Sequence, residues 1–262
     1  MSKILVILGM HRSGTSLLAN LIHESGIPLG ESLMPPTQLN PKGYFEDMEI
    51  YTLHDNILRQ SNLPYTVTEK DEISVSENHL SSIKEIIQKR SVKDQWGWKE
   101  PRTCLFLDNW HKIMLEEGHE PYYVISYRPL EQVVDSLVRR DIVEIKMIKN
   151  IFIRWRELRR YNKGLRDRQF HYMESWRHHL TKLMEFHQNN KEKTAVLYST
   201  NIATDFPKLK NKLHESWGFN IKDINFNAIF SKDLFTSLPE IQQYSDKNIQ
   251  TLQNYFQENQ LS

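Results

Sequence analysis

The sequence predicts an α/β fold in which one domain, residues 1–262, has a central parallel β-sheet flanked by helices. The first observation is a short apolar run of β type at residues 4–8, which passes through a loop with two glycines into a helix-forming segment. The second is that similar runs recur near residues 96–99, 122–127 and 194–198, each followed by a helical pattern. The third is length, because 262 residues with 39% hydrophobic content suffice for one large core. We therefore expect a parallel sheet covered on both faces.

The loop after the first strand has the pattern of an anion-binding loop. Gly9 and Gly14 let the backbone wrap around a small anion, and the start of the next helix offers N–H donors and a positive dipole end. The pattern of a nucleoside-triphosphate loop, G-x-x-x-x-G-K-[ST], is met except that Thr15 stands at the lysine position before Ser16. We expect Arg12 to be the local cation instead, suited to a compact, doubly charged group. The structural alternative is a plain glycine turn between strand and helix.

A loop rich in Pro and Gly, residues 34–47, ends in two carboxylates, Glu46 and Asp47. Helical spacing resumes at Met48, so both acids stand at or near a helix start, where the dipole favours negative side chains. We expect Asp47 to cap this helix. For Glu46, capping and a role in chemistry both stay open.

The aromatic run near residues 96–99 predicts the second strand, and a charged turn broken by Pro101 follows it. Lys99 and Arg102 flank the end of this strand, either in a solvated turn or as two cations of a parallel-sheet active site. Cys104 lies in an apolar run, where we expect a buried thiol rather than a nucleophile. As the single cysteine it excludes an internal disulfide and fits a reducing compartment.

The run Pro121–Leu130 is rich in β-type residues, and a helical pattern follows from Glu131 to Arg140. Arg128 is thereby placed at the carboxyl end of a strand, where ligands bind in open α/β sheets. Ser136 lies about two helical turns later and can face the same anion if the helix packs beside that strand end. No acidic residue ends this strand, so the sequence offers no evident metal-holding aspartate.

Residues 139–168 are strongly basic, with eleven Lys or Arg against four Asp or Glu. We expect most of these charges to form a solvated face and some to favour an anionic cofactor or acceptor. His178, His179 and the other histidines show no metal-ligand spacing, so we expect no metal. The Gln/Asn-rich end from Pro239 predicts a terminal helix. Within the basic segment a helical spacing links Ile148, Ile151, Phe152, Trp155 and Leu158.

The overall charge of the chain is close to neutral. Lys plus Arg is 34 and Asp plus Glu is 33, so a net charge of +1 gives no argument for nucleic acid or an anionic membrane as partner. Any anion site must be local. The first apolar run is too short for a signal peptide, and no segment approaches the length of a membrane span, so we expect a cytoplasmic protein.

Four segments together resemble the sulfotransferases that use 3′-phosphoadenosine 5′-phosphosulfate, and in particular their bacterial branch. The resemblance covers most of the first 165 residues and implies a P-loop-like sulfotransferase fold. The late glycine-rich cofactor loop of the cytosolic small-molecule enzymes is not recognisable, so what covers the adenine is unassigned. The four segments are Gly9-Met-His-Arg-Ser-Gly-Thr-Ser16, Asn40-Pro-Lys-Gly-Tyr-Phe-Glu46, Trp98-Lys-Glu-Pro-Arg102 and Tyr127-Arg-Pro with Ser136.

The resemblance also implies how the donor is held. It assigns the 3′-phosphate to Arg128 and Ser136, and the 5′-phosphosulfate to the first loop. The donor would be 3′-phosphoadenosine 5′-phosphosulfate without a metal, and the acceptor a hydroxyl, or an amine, of a small molecule, glycan or lipid. The loop residues assigned to the donor are His11, Arg12, Ser13, Gly14, Thr15 and Ser16.

Transfer of a sulfuryl group needs cations on the transferring group, a base for the acceptor proton and in-line placement. Arg12 and Lys99 can supply the cations. Glu46 is the favoured base, because its loop can reach the phosphosulfate end and the related enzymes place a glutamate there. His11 is the alternative base, although we expect it to be charged beside the anion loop.

Two other functions stay open. A nucleotide kinase or other phosphotransferase with an altered loop is disfavoured by Thr15 and by the missing metal aspartate. A non-catalytic nucleotide-binding module would keep Arg12 and Arg128 but have no need of Glu46.

Overall fold

Four parallel strands form a sheet at the centre of the computed structural model, which describes residues 1–38, 40, 42–230 and 246–261. The strand order is β2-β1-β3-β4, with parallel pairing at every contact. The strands predicted from the sequence are confirmed, as is the parallel sheet. The strands are β1 (Lys3–Leu8), β2 (Gln95–Lys99), β3 (Glu120–Tyr127) and β4 (Thr194–Tyr198).

The sheet is buried on both faces, which explains why its strands are continuous apolar runs. Along β1, Ile4, Val6 and Leu8 contribute to one core cluster. Leu5 and Ile7 point the other way and contribute to a second. All five side chains are fully buried. The two-residue period of a strand therefore divides one apolar run between two cores.

Helices cover both faces of the sheet, as the alternation of strands and helices predicts. Helices α1 and α8 pack in the cluster that contains Leu5, whereas α2, α3, α4, α5, α7 and α10 pack in the cluster that contains Ile4. The described helices are α1 (Thr15–Glu24), α2 (Met48–Gln60), α3 (Glu77–Arg90), α4 (Leu107–Glu116), α5 (Leu130–Lys146), α6 (Ile151–Lys163), α7 (Leu165–Asn189), α8 (Ile202–Asn211), α9 (Phe226–Ile229) and α10 (Lys247–Glu258).

The order of the strands creates a crevice between β1 and β3. These strands are neighbours, but the helix after β1 lies on one face of the sheet and the helix after β3 on the other. The two connections therefore diverge at the carboxyl ends of the strands, where open α/β sheets bind ligands. Arg12 follows β1 and Arg128 follows β3, so the topology brings both cations to this crevice.

Three local expectations have mixed outcomes. The terminal helix is confirmed over Lys247–Glu258, whereas its expected start at Pro239 lies outside the described residues. Cys104 is buried as expected, and burial raises the pKa of its thiol to about 12. The helical segment of the basic region begins at Ile151, so Ile148 precedes α6 instead of belonging to it. None of the helices in the described ranges is long and apolar enough to cross a bilayer.

Candidate active site

The loop between β1 and α1 has a backbone that only glycine can follow at two positions. Gly9 has φ +147°, and a Cβ there would lie 2.6 Å from the carbonyl oxygen of Ser126. Gly14 has φ +80°, and its Cβ would lie 2.9 Å from Cβ of Ser199. Arg12, between them, also has a positive φ of 68°, which is unusual for a side chain of its size. The loop thus holds Arg12 in a constrained conformation of the kind found at functional sites.

The first turn of α1 is open to an anion. Gly14 occupies the N-cap position and offers no side chain to its N–H groups, and the turn carries no acidic residue. The first bond of the helix runs from Leu18 N–H to the Gly14 carbonyl, which leaves the N–H groups before Leu18 outside the helical ladder. By contrast, α2 is capped by a carboxylate, that of Asp47. The positive end of the α1 dipole is therefore available to a ligand.

Arg12 and the segment after β3 are joined by hydrogen bonds. The Arg12 Nε donates to Ser136 Oγ at 2.9 Å, and a guanidinium nitrogen of Arg128 donates to the Arg12 carbonyl at 2.8 Å. Trp176 Nε1 holds the Arg128 carbonyl at 3.1 Å. Below the loop, the Ser126 hydroxyl donates to the Ser13 carbonyl at 2.6 Å. The residues predicted for the two phosphate groups are therefore neighbours that contact one another through Arg12.

The charges in this cluster favour an anionic ligand. Desolvation and the neighbouring charge of Arg12 lower the pKa of Arg128 to about 10. The guanidinium of Arg12 reaches solvent, yet desolvation and the charge of Arg140 lower its pKa as well. The hydrogen-bond acceptors that face these two side chains, Ser136, Gln132 and a backbone carbonyl, are uncharged. An anion between the guanidinium groups would relieve their repulsion.

A buried lysine faces the same loop from the neighbouring strand. Lys99 ends β2, opposite Ile7 of β1, and its side chain is 1% exposed. Its ammonium donates to Ser16 Oγ at 3.2 Å and to Glu46 Oε1 at 2.8 Å. The loop has Thr15 where a triphosphate loop has lysine, but β2 brings a cation to the next residue. The part of the argument against a kinase that rests on the missing lysine of the loop is weaker for this reason.

Glu46 is held in place by its own loop and faces Lys99. Its backbone carbonyl accepts from the Met34 N–H at 2.7 Å, and the Met48 N–H donates to the Ser32 carbonyl at 2.9 Å, so the two ends of the loop are paired. Burial raises the pKa of Glu46, and the charge of Lys99 opposes that shift without cancelling it. A carboxylate with a raised pKa is better suited to accept a proton near neutral pH.

The neighbouring carboxylate, Asp47, has a structural role. Its Oδ1 accepts from the N–H groups of Glu49 at 2.9 Å and Ile50 at 3.2 Å, which confirms the expected cap of α2. Asp47 also binds the buried guanidinium of Arg90 at 2.8 Å. Because Asp47 supplies the cap, Glu46 is left to face Lys99 and the cleft.

A cleft of about 200 Å³ brings the four candidate catalytic residues together. Two of its residues were not anticipated, Arg140 and Glu144, which follow Ser136 at successive four-residue steps on α5. That spacing places all three on one side of the helix and is a signal the sequence contained. Ser13, Arg128 and Ser136 lie beside this cleft through their contacts with Arg12 and its loop. The cleft is lined by His11, Arg12, Thr15, Ser16, Asn40, Tyr44, Glu46, Lys99, Pro101, Arg140 and Glu144.

The expectation that His11 is charged is wrong. Desolvation lowers the pKa of His11 well below its ordinary value and outweighs the attraction of Glu100. Its Nε2 is buried and has no hydrogen-bond partner among the described residues, while its ring meets Tyr65 edge-on with centroids 5.2 Å apart. A neutral imidazole can accept a proton, so His11 stays a chemically competent alternative to Glu46.

The expectation for Arg102 is also corrected. Lys99 reaches the cleft, but Arg102 is directed into the protein, where it binds Glu100 at 2.8 Å and Asp55 at 3.3 Å. Glu100 also bonds His54 at 2.5 Å. Burial opposes ionisation of Glu100, yet Arg102 and His54 together hold its pKa at about 2. The turn after Lys99 is therefore a buried ion-pair network, neither a solvated turn nor a second catalytic cation.

Comparison with known proteins shows the fold. No protein-family model matches the chain, and no curated protein matches it by sequence. Among solved structures, it is similar to the sulfotransferase domain from the Synechococcus PCC 7002 olefin synthase, with TM-score 0.51, 16% identity and coverage of 98% of this chain and 94% of that one. It is also similar to the sulfotransferase domain from the curacin biosynthetic pathway, with TM-score 0.51, 13% identity and 98% coverage of both chains. The chain thus has the α/β fold of sulfotransferase domains.

Proposed function

We propose that this protein is a sulfotransferase that moves a sulfuryl group from 3′-phosphoadenosine 5′-phosphosulfate to a hydroxyl of a small molecule, glycan or lipid, with residues 1–262 acting as one domain. One observation carries the proposal. A loop and helix start built for an anion meet a second arginine from the adjacent strand, and a buried Lys99–Glu46 pair lies beside them. The fold shared with sulfotransferase domains supports the same function.

In this proposal the chain holds the two ends of the donor with different residues. Arg12, the backbone from Ser13 to Ser16 and the start of α1 take the 5′-phosphosulfate. Arg128 and Ser136 take the 3′-phosphate, since they follow the neighbouring strand. Binding of both groups would replace the present contacts among Arg12, Arg128 and Ser136 with charge-assisted contacts to the ligand.

The reaction asks little of the protein beyond charge and placement. The acceptor oxygen forms a bond to sulfur while the bond from sulfur to the donor's phosphate oxygen breaks, and the acceptor proton passes to Glu46. Lys99 and Arg12 stabilise the negative charge that develops on the departing phosphate. Lys99 contacts both Glu46 and the first turn of α1, so it lies between the proposed base and the proposed site of the departing phosphate.

A nucleotide kinase is the competing enzyme. The observation in its favour is that the Lys99 ammonium lies 3.2 Å from Ser16 Oγ, where it could contact a polyphosphate. Calorimetry separates the two functions: we expect 3′-phosphoadenosine 5′-phosphate to bind and ATP with magnesium not to bind. Tight binding of magnesium-ATP with none of the bisphosphate would overturn the proposal. Binding of the bisphosphate without turnover on any acceptor would point to a nucleotide-binding module.

Replacing Arg128 with alanine should weaken binding of 3′-phosphoadenosine 5′-phosphate by about ten- to a hundredfold. The reason is loss of a charge-assisted contact to the 3′-phosphate, so the analogue without that phosphate should be affected much less. Titration calorimetry with both nucleotides measures the difference. Arg59→Ala, which changes a largely exposed arginine at the end of α2, is the matched control. An equal loss for both nucleotides would remove Arg128 from the 3′ site.

Activity should not require magnesium. The donor has no polyphosphate for a metal to bridge, and Lys99, Arg12 and Arg128 supply positive charge from the protein itself. Turnover measured with EDTA should match turnover with added magnesium within about twofold. Loss of all activity in EDTA, restored by magnesium, would favour the kinase.

A further inference from the structure

The surface around α6 exposes large apolar side chains. Phe152 is 83% exposed, Trp155 is 62% exposed and Ile151 is 61% exposed. Two further apolar residues at the end of α5, Val143 and Met147, are each close to half exposed. We call these five residues the α6 surface. Contiguous patches of exposed apolar residues mark interaction sites on soluble proteins.

Helix α6 makes hydrogen bonds near both of its ends. Asn150 caps the helix by accepting from the N–H groups of Phe152 at 3.0 Å and Ile153 at 3.1 Å. On the inward side Tyr161 is buried, and its hydroxyl donates to Asp141 at 3.0 Å. The helix thus turns Tyr161 toward the protein, whereas Ile151, Phe152 and Trp155 face solvent, so the outer side of this surface helix also carries large apolar residues.

The same segment concentrates positive charge. Residues 139–168 carry eleven Lys or Arg against four Asp or Glu, whereas the whole chain is nearly neutral, so the rest of the chain is net acidic. The basic side chains therefore surround the α6 surface with positive charge. Those that are exposed are Lys146, Lys149, Arg156, Arg159, Arg160, Lys163, Arg166 and Arg168.

We propose that the α6 surface binds an anionic lipid membrane, with Ile151, Phe152 and Trp155 entering the headgroup region. A helix that shows aromatic and aliphatic residues on one arc and Lys and Arg beside it is typical of interfacial binding. A bilayer accepts side chains from an exposed helix without a complementary pocket, and Trp is favoured at the headgroup level. A second copy of this chain is a poor occupant, because two strongly basic surfaces would face each other.

The α6 surface lies close to the cleft along the chain. Arg140 and Glu144 line the cleft, Val143 lies on the same stretch of α5, and Met147 directly follows that helix. Contact with a membrane would therefore occur within about two helical turns of the cleft residues on α5. If the proposed transferase function holds, the acceptor hydroxyl can come from a molecule at the lipid surface. The binding itself does not depend on that function.

Trp155 makes the interaction directly measurable. It is the exposed tryptophan of the six, since the other five are buried, so collisional quenching by acrylamide in solution reports mainly on Trp155. We expect vesicles of phosphatidylcholine with about a third phosphatidylserine to protect it from acrylamide and shift its emission to shorter wavelength, and vesicles of phosphatidylcholine alone to do so far less. The buried tryptophans are Trp96, Trp98, Trp110, Trp176 and Trp217.

Flotation with the same vesicles tests how much individual residues of the α6 surface contribute to membrane binding. Phe152→Ser with Trp155→Ser should weaken binding at least about tenfold, because the apolar area of both side chains no longer enters the headgroup region. Both side chains are exposed, so the fold should be little affected. Val92→Ser with Leu115→Ser, which removes two exposed apolar residues elsewhere, should leave binding unchanged. Arg160→Ala and Lys163→Ala should each cost about fivefold at low salt. Trp155→Phe should bind but lose the fluorescence response.

Three outcomes would overturn the proposal. The first is no flotation and no protection of Trp155 with the anionic vesicles. The second is protection without vesicles that grows with protein concentration, which would indicate a second copy. The third is equal protection by polyglutamate and by vesicles, which would indicate an acidic protein partner. All measurements are made without donor or acceptor, so their failure is distinct from failure of the proposed reaction.

Discussion

Replacing Lys99 with methionine is expected to lower turnover by about a hundred- to a thousandfold. Methionine fills a similar volume, but it removes the cation that lies 3.2 Å from Ser16 Oγ and 2.8 Å from Glu46. In the proposed reaction this cation stabilises the departing phosphate. Steady-state rates with 3′-phosphoadenosine 5′-phosphosulfate and any accepted hydroxyl compound measure the loss.

The pH profile separates this role from a purely structural one. Burial already raises the pKa of Glu46, and Lys99 opposes that shift, so without Lys99 the pKa should rise further. The acidic limb of the residual kcat/KM profile should therefore move to higher pH. Lys93→Met, which changes a lysine with a 40% exposed side chain shortly before β2, is the control and should leave rate and profile unchanged. An unmoved limb together with more than about a tenth of wild-type turnover would contradict the assignment.

The sheet could be predicted because each strand carries its own signal. Lys3–Leu8 and Glu120–Tyr127 are continuous apolar or aromatic runs bounded by Gly or Arg-Pro, and burial on both faces requires such runs. Arg12 and Arg128 could be located for the same reason, because Arg128 directly follows β3 and Arg12 lies in the short loop after β1. Local pattern is enough wherever the site residue is contiguous with the element that positions it.

Side-chain direction could not be predicted in the same way. Lys99 and Arg102 lie three residues apart in one turn, yet one reaches the cleft and the other binds Glu100 in the interior. The choice depends on Glu46 and on His54, which lie about fifty residues earlier in the chain. The lowered pKa of His11 likewise follows mainly from burial, which outweighs the attraction of Glu100.

Helix α6 shows a further limit of prediction from sequence periodicity. The spacing of Ile151 and Trp155 predicts a helix, and the helix is there. A periodic pattern identifies an apolar face but does not say whether that face turns toward the protein or away from it. Here Tyr161 and its bond to Asp141 fix the opposite face inward, and that contact joins residues twenty apart in the chain.

Replacing Glu46 with glutamine should lower turnover by roughly a hundred- to ten-thousandfold, with nucleotide affinity and melting temperature nearly unchanged. Glutamine keeps the shape of the side chain and an oxygen that can accept from Lys99, but it cannot take the acceptor's proton. A structural role as helix cap predicts no such loss, and Asp47 already fills that role with bonds of 2.9 and 3.2 Å.

The pH dependence gives the Glu46 prediction a second readout. Because the pKa of Glu46 is raised, kcat/KM of the wild-type protein should rise with pH through a limb above the ordinary glutamate range, and Glu46→Gln should remove that limb. Glu49→Gln, three residues further on and with a side chain that is 43% exposed, should leave both rate and profile intact. If Glu46→Gln keeps more than about a tenth of wild-type turnover, the loss is smaller than removal of a general base should cause, and the assignment of Glu46 as the base fails. His11, neutral and lining the same cleft, would then be the residue to replace.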